Sequence, residues 1–297
     1  MNSGIYLIQS KFAFDGLKRI TAKNAQKEYY LTDILAIGIQ AKEKVESLKC
    51  ADSEEVMGIN SRLDLSRVEK SLRKRIAENW MKEGVTLIDP ETTYIDQDVR
   101  IGKDTVIFPG SALLSGSSIG EECILRSHVT ISNSEIGKGT TIREFCVISE
   151  SRIKEGAIVG PFAHIRPGTL LHQNARIGNF VEIKKSEIGP GSKVNHLSYI
   201  GDAILGKRVN VGAGTITCNY DGQKKYQTII GDDVFIGSDT QLIAPVRVED
   251  GSLIGAGSTI VEDVPRNSLA LSRMKQVIKK DWVIRNRNKQ PKKKKEK

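Results

Sequence analysis

From Ile95 onward an aliphatic residue returns every six positions, occasionally every five: Ile95, Ile101, Ile107, Leu113, Ile119, Leu125 and Ile131, then Ile136, Ile142 and Ile148, and so on with one interruption to Ile260. A helix repeats its apolar positions every 3.6 residues and a half-buried strand every two, so neither produces this step. A triangular coil does. Each hexad supplies a short strand and a corner, the aliphatic side chain points to the axis, and small or turn-compatible residues occupy the corners. Three hexads complete a turn, so the series predicts roughly nine stacked coils, each burying its core against the next. A β-sandwich with turns every 8–12 residues does not keep so regular a step. The spacing does not set the hand of the coil.

Such a coil needs a core of small and branched residues, and the composition agrees: aromatic residues are 5% of the chain and Gly numbers 27. Cys50, Cys123, Cys146 and Cys218 form no C-x-x-C pair, which argues against a disulfide framework or zinc site and for reduced thiols. No apolar run approaches the roughly 18 residues that cross a bilayer, and the N-terminus lacks the charged-then-apolar order of a signal peptide. A soluble cytoplasmic protein is expected. The net charge of +9 is unevenly placed: residues 266–297 hold 13 Lys/Arg against 2 Asp/Glu, a net of +11, which leaves −2 for everything before them. A run such as Lys292-Lys293-Lys294-Lys295 reads as a solvated tail, with contact to RNA, anionic lipid or an acidic partner as the minority reading. No nucleic-acid partner is expected.

The pattern divides the chain into four parts. Residues 1–60 mix an apolar strand, Ile5-Tyr6-Leu7-Ile8, with helix-like stretches around Phe14 to Ala25 and Leu31 to Ala41. They read as α/β material without a G-x-G-x-x-G or P-loop. Residues 61–85 carry Leu65, Val68, Leu72, Ile76 and Trp80 at three- and four-residue steps, an amphipathic linker helix. Residues 86–265 are the repeat, and 266–297 the basic tail. The repeat breaks once, between Thr217 and Ile230, in a polar insert that must leave the coil as an exposed loop. A single prism offers little concavity, so such an arm reads as reaching a neighbour, and a homotrimer is expected.

Several side chains exceed what a coil requires. Arg166 and Lys184 lie 18 residues apart, three hexads, and so stack one coil apart as a pair suited to a phosphate. Two solvated cations are the plainer alternative. His196, in Asn195-His196-Leu197-Ser198-Tyr199, has the side chain that serves near neutral pH as general base for an attacking amine. A lone His is more often structural, but Tyr199 and Asn210 fall nearby in the coil count and are suited to sugar hydroxyls. Asn210-Val211-Gly212-Ala213-Gly214-Thr215, continued by Ser238 and Ala256, leaves corners small enough for a thin, extended pantetheine arm.

The stretch Gly178 to Lys185, the segment Asn195 to Gly201 and the run Val211 to Asp239 resemble the acetyltransferase domain of the bacterial bifunctional glucosamine-1-phosphate N-acetyltransferase and N-acetylglucosamine-1-phosphate uridyltransferase family. The match is continuous from the first residues to about Arg273. The resemblance implies a mainly β, left-handed parallel β-helix, with His196 as base. It implies that Arg166, Lys184 and Lys225 hold the phosphate and that Tyr199, Asn210 and Asn219 position the sugar. Acetyl-CoA would then contact Ala213, Ser238, Ala256 and Arg273, with Asn219 and Tyr220 reaching from the projecting loop. The family's glycine-rich nucleotide loop and its metal-binding Asp are not found. The chain opens instead on a stretch similar to the closing third of that domain, with Asn2 at a sugar contact and Asn60 at a Mg2+ ligand position.

The expected activity is therefore acetyl-CoA-dependent N-acetylation of glucosamine-1-phosphate in UDP-N-acetylglucosamine biosynthesis, without a metal, and no uridyl transfer is expected from this chain alone. The alternatives are an acyltransferase for another amino sugar and a non-catalytic partner of a separate uridyltransferase fragment. A carbonic anhydrase of the three-His type is disfavoured by the spacing of His128, His164, His172 and His196.

Overall fold

The computed structural model describes residues 3–289. Two compact units divide between Arg75 and Ile76. In the first, α1 (Ser10–Leu17) and α2 (Asp33–Gln40) pack around Ile20, Ile34 and Ile37. The helix expected from Phe14 to Ala25 thus starts earlier and stops at Leu17. Ile5-Tyr6-Leu7-Ile8 joins no sheet among the described residues, and Ile5 and Leu7 face solvent; a short apolar run is not enough where no neighbouring strand supplies a ladder. α3 (Arg62–Lys82) begins at a capping box: the Ser61 hydroxyl accepts from the Asp64 N–H at 3.1 Å and donates to its carboxylate at 2.7 Å. That hydroxyl is the main reason the Asp64 carboxyl lies below its ordinary range. The last turns of α3 belong to the second unit, where Ile76, Ala77 and Trp80 join the core of the coil.

The second unit is mainly β, a left-handed parallel β-helix of about ten turns. Its three faces are an 11-stranded sheet from Thr86–Leu87 to Leu269–Ala270, a 10-stranded sheet from Tyr94–Ile95 to Thr259–Ile260, and a 9-stranded sheet from Arg100–Ile101 to Val246–Val248. The coil exceeds the expected nine turns because pairing begins at Thr86, ahead of the first hexad, and ends at Ala270. After it comes α4 (Trp282–Lys289). The lysine run at 292–295 lies outside the described residues.

The hexad aliphatics meet along the axis. Ile165, Ile183 and Ile200 are register partners and fully buried. Two positions before such an aliphatic several coils carry a small side chain whose polar atom bonds a carbonyl of the next coil, as in Thr105 to Gly120 at 2.8 Å and Ser192 to Gly206 at 2.7 Å, where others carry Ala or Val. Cys123 and Cys146 hold this same position and are buried, which pushes both thiols up, Cys146 to about 11. Cys50 and Cys218 are half-buried. In the native protein an aromatic disulfide reagent is expected to titrate only these two, and all four in denaturant. Rapid native labelling of more than two would show that the coil is not closed.

The corners differ from the expectation of small residues. Phe145, Phe162 and Phe180 adopt left-handed φ of 58°, 54° and 56° at one corner, with His128 below them at 60°. Such a backbone costs a non-glycine residue about 1 kcal/mol or more. Here the rings stack on one another at 5.0, 5.1 and 5.2 Å, within 6–11° of parallel, a contact that returns roughly 0.5–1.5 kcal/mol per pair.

Candidate active site

The corner of the stacked rings also carries the candidate base. The strands Arg176–Asn179 and Lys193–His196 run four residues each, longer than most of their neighbours, so the ladder extends to the corner and pairs Asn179 with His196. Backbone bonds carry the stack upward: Gly214 N–H to Leu197 O at 3.1 Å, Asp239 N–H to Ala213 O at 2.7 Å and Gly257 N–H to Ser238 O at 2.8 Å. Asn179, His196, Ala213, Ser238 and Ala256 thus follow one another in successive coils. At the upper end the Arg273 guanidinium donates to Ala256 O at 3.1 Å. With strands about 4.8 Å apart, Ala256 stands about 14 Å above His196. The side chains along that line are small, and the corner beside it, which continues that of the stacked rings, is turned by Gly214, Asp239 and Gly257 at φ 78°, 56° and 71°. His196 is exposed, with Nδ1 3.0 Å from Asn179 Oδ1.

A cationic group lies on the 10-stranded face. Arg166 and Lys184 sit one coil apart, the Arg166 N–H bonded to Ile183 O at 2.8 Å and its guanidinium to Glu182 at 2.6 Å. The Lys184 ammonium lies below its ordinary range because Lys225 crowds it most, followed by Arg166. An anion placed among the three relieves that repulsion. Tyr199 projects from the same face, paired with Glu182. Asn210 does not: it belongs to the 11-stranded face, between Lys193 and Phe235, so one chain does not bring Asn210 and Tyr199 together.

The insert leaves the coil after Cys218 and returns at Thr228. It is a folded hairpin, closed by an antiparallel bridge from Tyr220 to Lys225 and by the Asp221 carboxylate, which accepts from the N–H groups of Gln223 and Lys224 at 2.7 and 2.6 Å. Its exposed part presents Tyr220 and Lys225. Asn219 corrects the expectation that it reaches outward: only 7% exposed, it donates its side-chain amide to the Asp202 carboxylate at the base of the loop. The physical reason is that Asn219 closes the neck of the hairpin, where its carbonyl accepts from the Tyr226 N–H at 2.9 Å and its side chain turns to Asp202. Of the nucleotidyltransferase positions, Asn60 is exposed in the first unit and Asn2 lies outside the described residues. Among the described residues no group of three or more His, Cys, Asp or Glu gathers to hold a metal.

Residues 98–133 match a family model described as bacterial transferase hexapeptide (six repeats), and residues 150–248 one described as the GMPPB C-terminal domain. A bifunctional protein GlmU from Pelobacter propionicus is 48% identical over 289 residues, which are 97% of this chain and 63% of that protein. Another from Carboxydothermus hydrogenoformans is 50% identical over 283 residues, 95% of this chain and 63% of its own length. Over nearly its whole length the chain is thus similar to part of the GlmU proteins. It spans 63% of the length of these GlmU relatives. A solved Arabidopsis UDP-N-acetylglucosamine acyltransferase aligns with a TM-score of 0.55 and 18% identity over 61% of this chain and 70% of its own, which shows a shared fold.

Sequence reasoning missed two residues at this candidate site. Asp202 braces Asn219, and Asn179 faces His196. The 17-residue step from Asn179 to His196 was the available signal, but an even count of 18 points from His196 to Gly178 instead. Among the described residues no helix is long and apolar enough to cross a membrane.

Proposed function

We propose that this chain transfers the acetyl group of acetyl-CoA to the 2-amino group of glucosamine-1-phosphate, giving N-acetylglucosamine-1-phosphate for UDP-N-acetylglucosamine and cell-wall precursor synthesis. One observation carries the reading: an exposed imidazole stands at the lower end of a line of small side chains, Ala213, Ser238 and Ala256, about 14 Å long, that ends at Arg273. A pantetheine arm laid along Ala213, Ser238 and Ala256 brings its thioester down to His196. The amine lone pair attacks the thioester carbonyl carbon while His196 takes an amine proton. The tetrahedral adduct then expels the CoA thiolate, which receives that proton, leaving the amide and free CoA. The acetyl-CoA contacts are Ala213, Ser238, Ala256 and Arg273, with Tyr220 from the loop.

Arg166, Lys184 and Lys225 hold the phosphate in this reading, and Tyr199 and Asn210 the sugar. Because Tyr199 and Asn210 leave different faces of one prism, a site using both draws on more than one copy, which supports the homotrimer. Residues 86–265 then form the acetyltransferase domain, 61–85 a linker helix, 1–60 part of a nucleotidyltransferase-like domain and 266–297 a basic tail.

Appearance of free thiol from acetyl-CoA in the presence of glucosamine-1-phosphate tests the activity, and its absence with the purified chain rejects it. Lys184→Met is expected to raise KM for the sugar phosphate roughly tenfold, about 1.4 kcal/mol of lost binding to a charged group, with KM for acetyl-CoA little changed. An unchanged sugar-phosphate KM would remove the cationic group from the site. Another phosphorylated amino sugar is the second reading, since the cations recognise the phosphate and not the sugar; competition between acceptors separates the two.

A further inference from the structure

We propose that Asn179 is a positioning residue that fixes the tautomer of His196. This deepens the acetyl-transfer reading and rests on His196 being its base. Asn179 ends the strand Arg176–Asn179 as His196 ends Lys193–His196, and the two are register partners, so their side chains leave the same corner one coil apart. Oδ1 of Asn179 lies 3.0 Å from Nδ1 of His196. An amide oxygen only accepts, so this contact places the ring proton on Nδ1 and leaves the Nε2 lone pair free on the exposed side of the ring. Were the amide turned to present its NH2 group, the proton would move to Nε2 and the outward nitrogen could no longer take a proton from an amine.

The backbone makes the contact firm. A Cβ on Gly178 would stand 1.9 Å from Asn195 O, so the strands approach closely one residue before the pair, and the Leu197 N–H bonds Asn179 O at 3.1 Å one residue after it. Asn179 is half-buried, whereas His196 is exposed. The partner that holds the ring is therefore better fixed than the ring itself, as a positioning group must be.

The test combines nitrogen NMR of the imidazole with kinetics on the full chain, the His196 signal being assigned by its loss in His196→Ala. In the neutral ring of the wild type Nδ1 is expected to carry the proton. Asn179→Ala should shift the population toward Nε2–H, and Asn179→Asp, whose carboxylate also accepts from Nδ1, should keep Nδ1–H. In turnover, Asn179→Ala lowers kcat by about 10- to 100-fold, the range for losing a partner that orients a functional His, with KM for acetyl-CoA within about twofold. Asn179→Asp recovers most of that loss. A wild-type His196 protonated on Nε2, or a folded Asn179→Ala with wild-type kcat, overturns the positioning role even when His196→Ala is inactive. A fully active His196→Ala overturns the base assignment and this role with it. The wild-type spectrum decides the tautomer even if Asn179→Ala does not fold.

Discussion

Replacing His196 with Ala is expected to lower kcat for acetyl transfer by about 10²- to 10⁴-fold, the usual contribution of a positioned general base. The protein should remain folded, because the imidazole is exposed and lies outside the core. KM for acetyl-CoA should change little, since Ala213, Ser238, Ala256 and Arg273 form that line without it. Loss in kcat with KM preserved is the mark of an interaction made in the transition state rather than in ground-state binding. Thiol release reads the effect directly. The buried Cys123 and Cys146 add no background, and the signal from Cys50 and Cys218 is subtracted with enzyme alone. Wild-type turnover by His196→Ala would sink the base assignment.

Gly178→Ala is the second large effect and acts on the fold. Gly178 has no left-handed φ to protect, yet its Cβ would lie 1.9 Å from Asn195 O and 2.6 Å from the adjoining carbonyl carbon, both main chain of the next coil. Backbone in a ladder cannot move aside as a flexible side chain does, so two coils must separate. The expected cost is about 2–4 kcal/mol, the upper part of the range for overpacking, read as a lower urea midpoint. Gly139→Ala is the control: its φ of 65° strains an alanine, but a Cβ there meets nothing within 4 Å, so it should cost about 1 kcal/mol. If the two variants melt alike, the close approach at Gly178 is wrong. Because Gly178 adjoins Asn179, its substitution should lower kcat as well, while Gly139→Ala leaves kcat alone.

Much of the fold is legible in the chain because it follows one local rule. A six-residue step puts Ile165, Ile183 and Ile200 on the axis, and no other element of secondary structure repeats that way. The polar insert, the cation pair Arg166 and Lys184, and the small corner residues follow from the same count. Resemblance to the GlmU family gave roles to positions the count had marked and added Asn219, Tyr220, Lys225 and Arg273, which it had not. The first unit was less legible: Ile5 to Ile8 is an apolar run like a short strand, but strand formation needs a partner segment, and sequence pattern does not supply one.

The sequence by itself therefore determined the coil, its core and the rough grouping of cations, histidine and small corners. Tertiary structure decided which side chains meet. Phe145, Phe162 and Phe180 hold corners where small residues were expected, because each ring stacks on the next. Asn219 stays buried because it closes the neck of the hairpin, bonded to Asp202 and to the Tyr226 N–H. Asn210 and Tyr199 point from different faces although they are close in the count. The physical reason is register. Whenever a hexad drops a residue, partners in adjoining coils move from 18 to 17 residues apart, so Arg166 stacks below Lys184 but His196 stands above Asn179 rather than Gly178. Periodicity fixes which residues face inward, whereas the running sum of those omissions sets which outward residues touch.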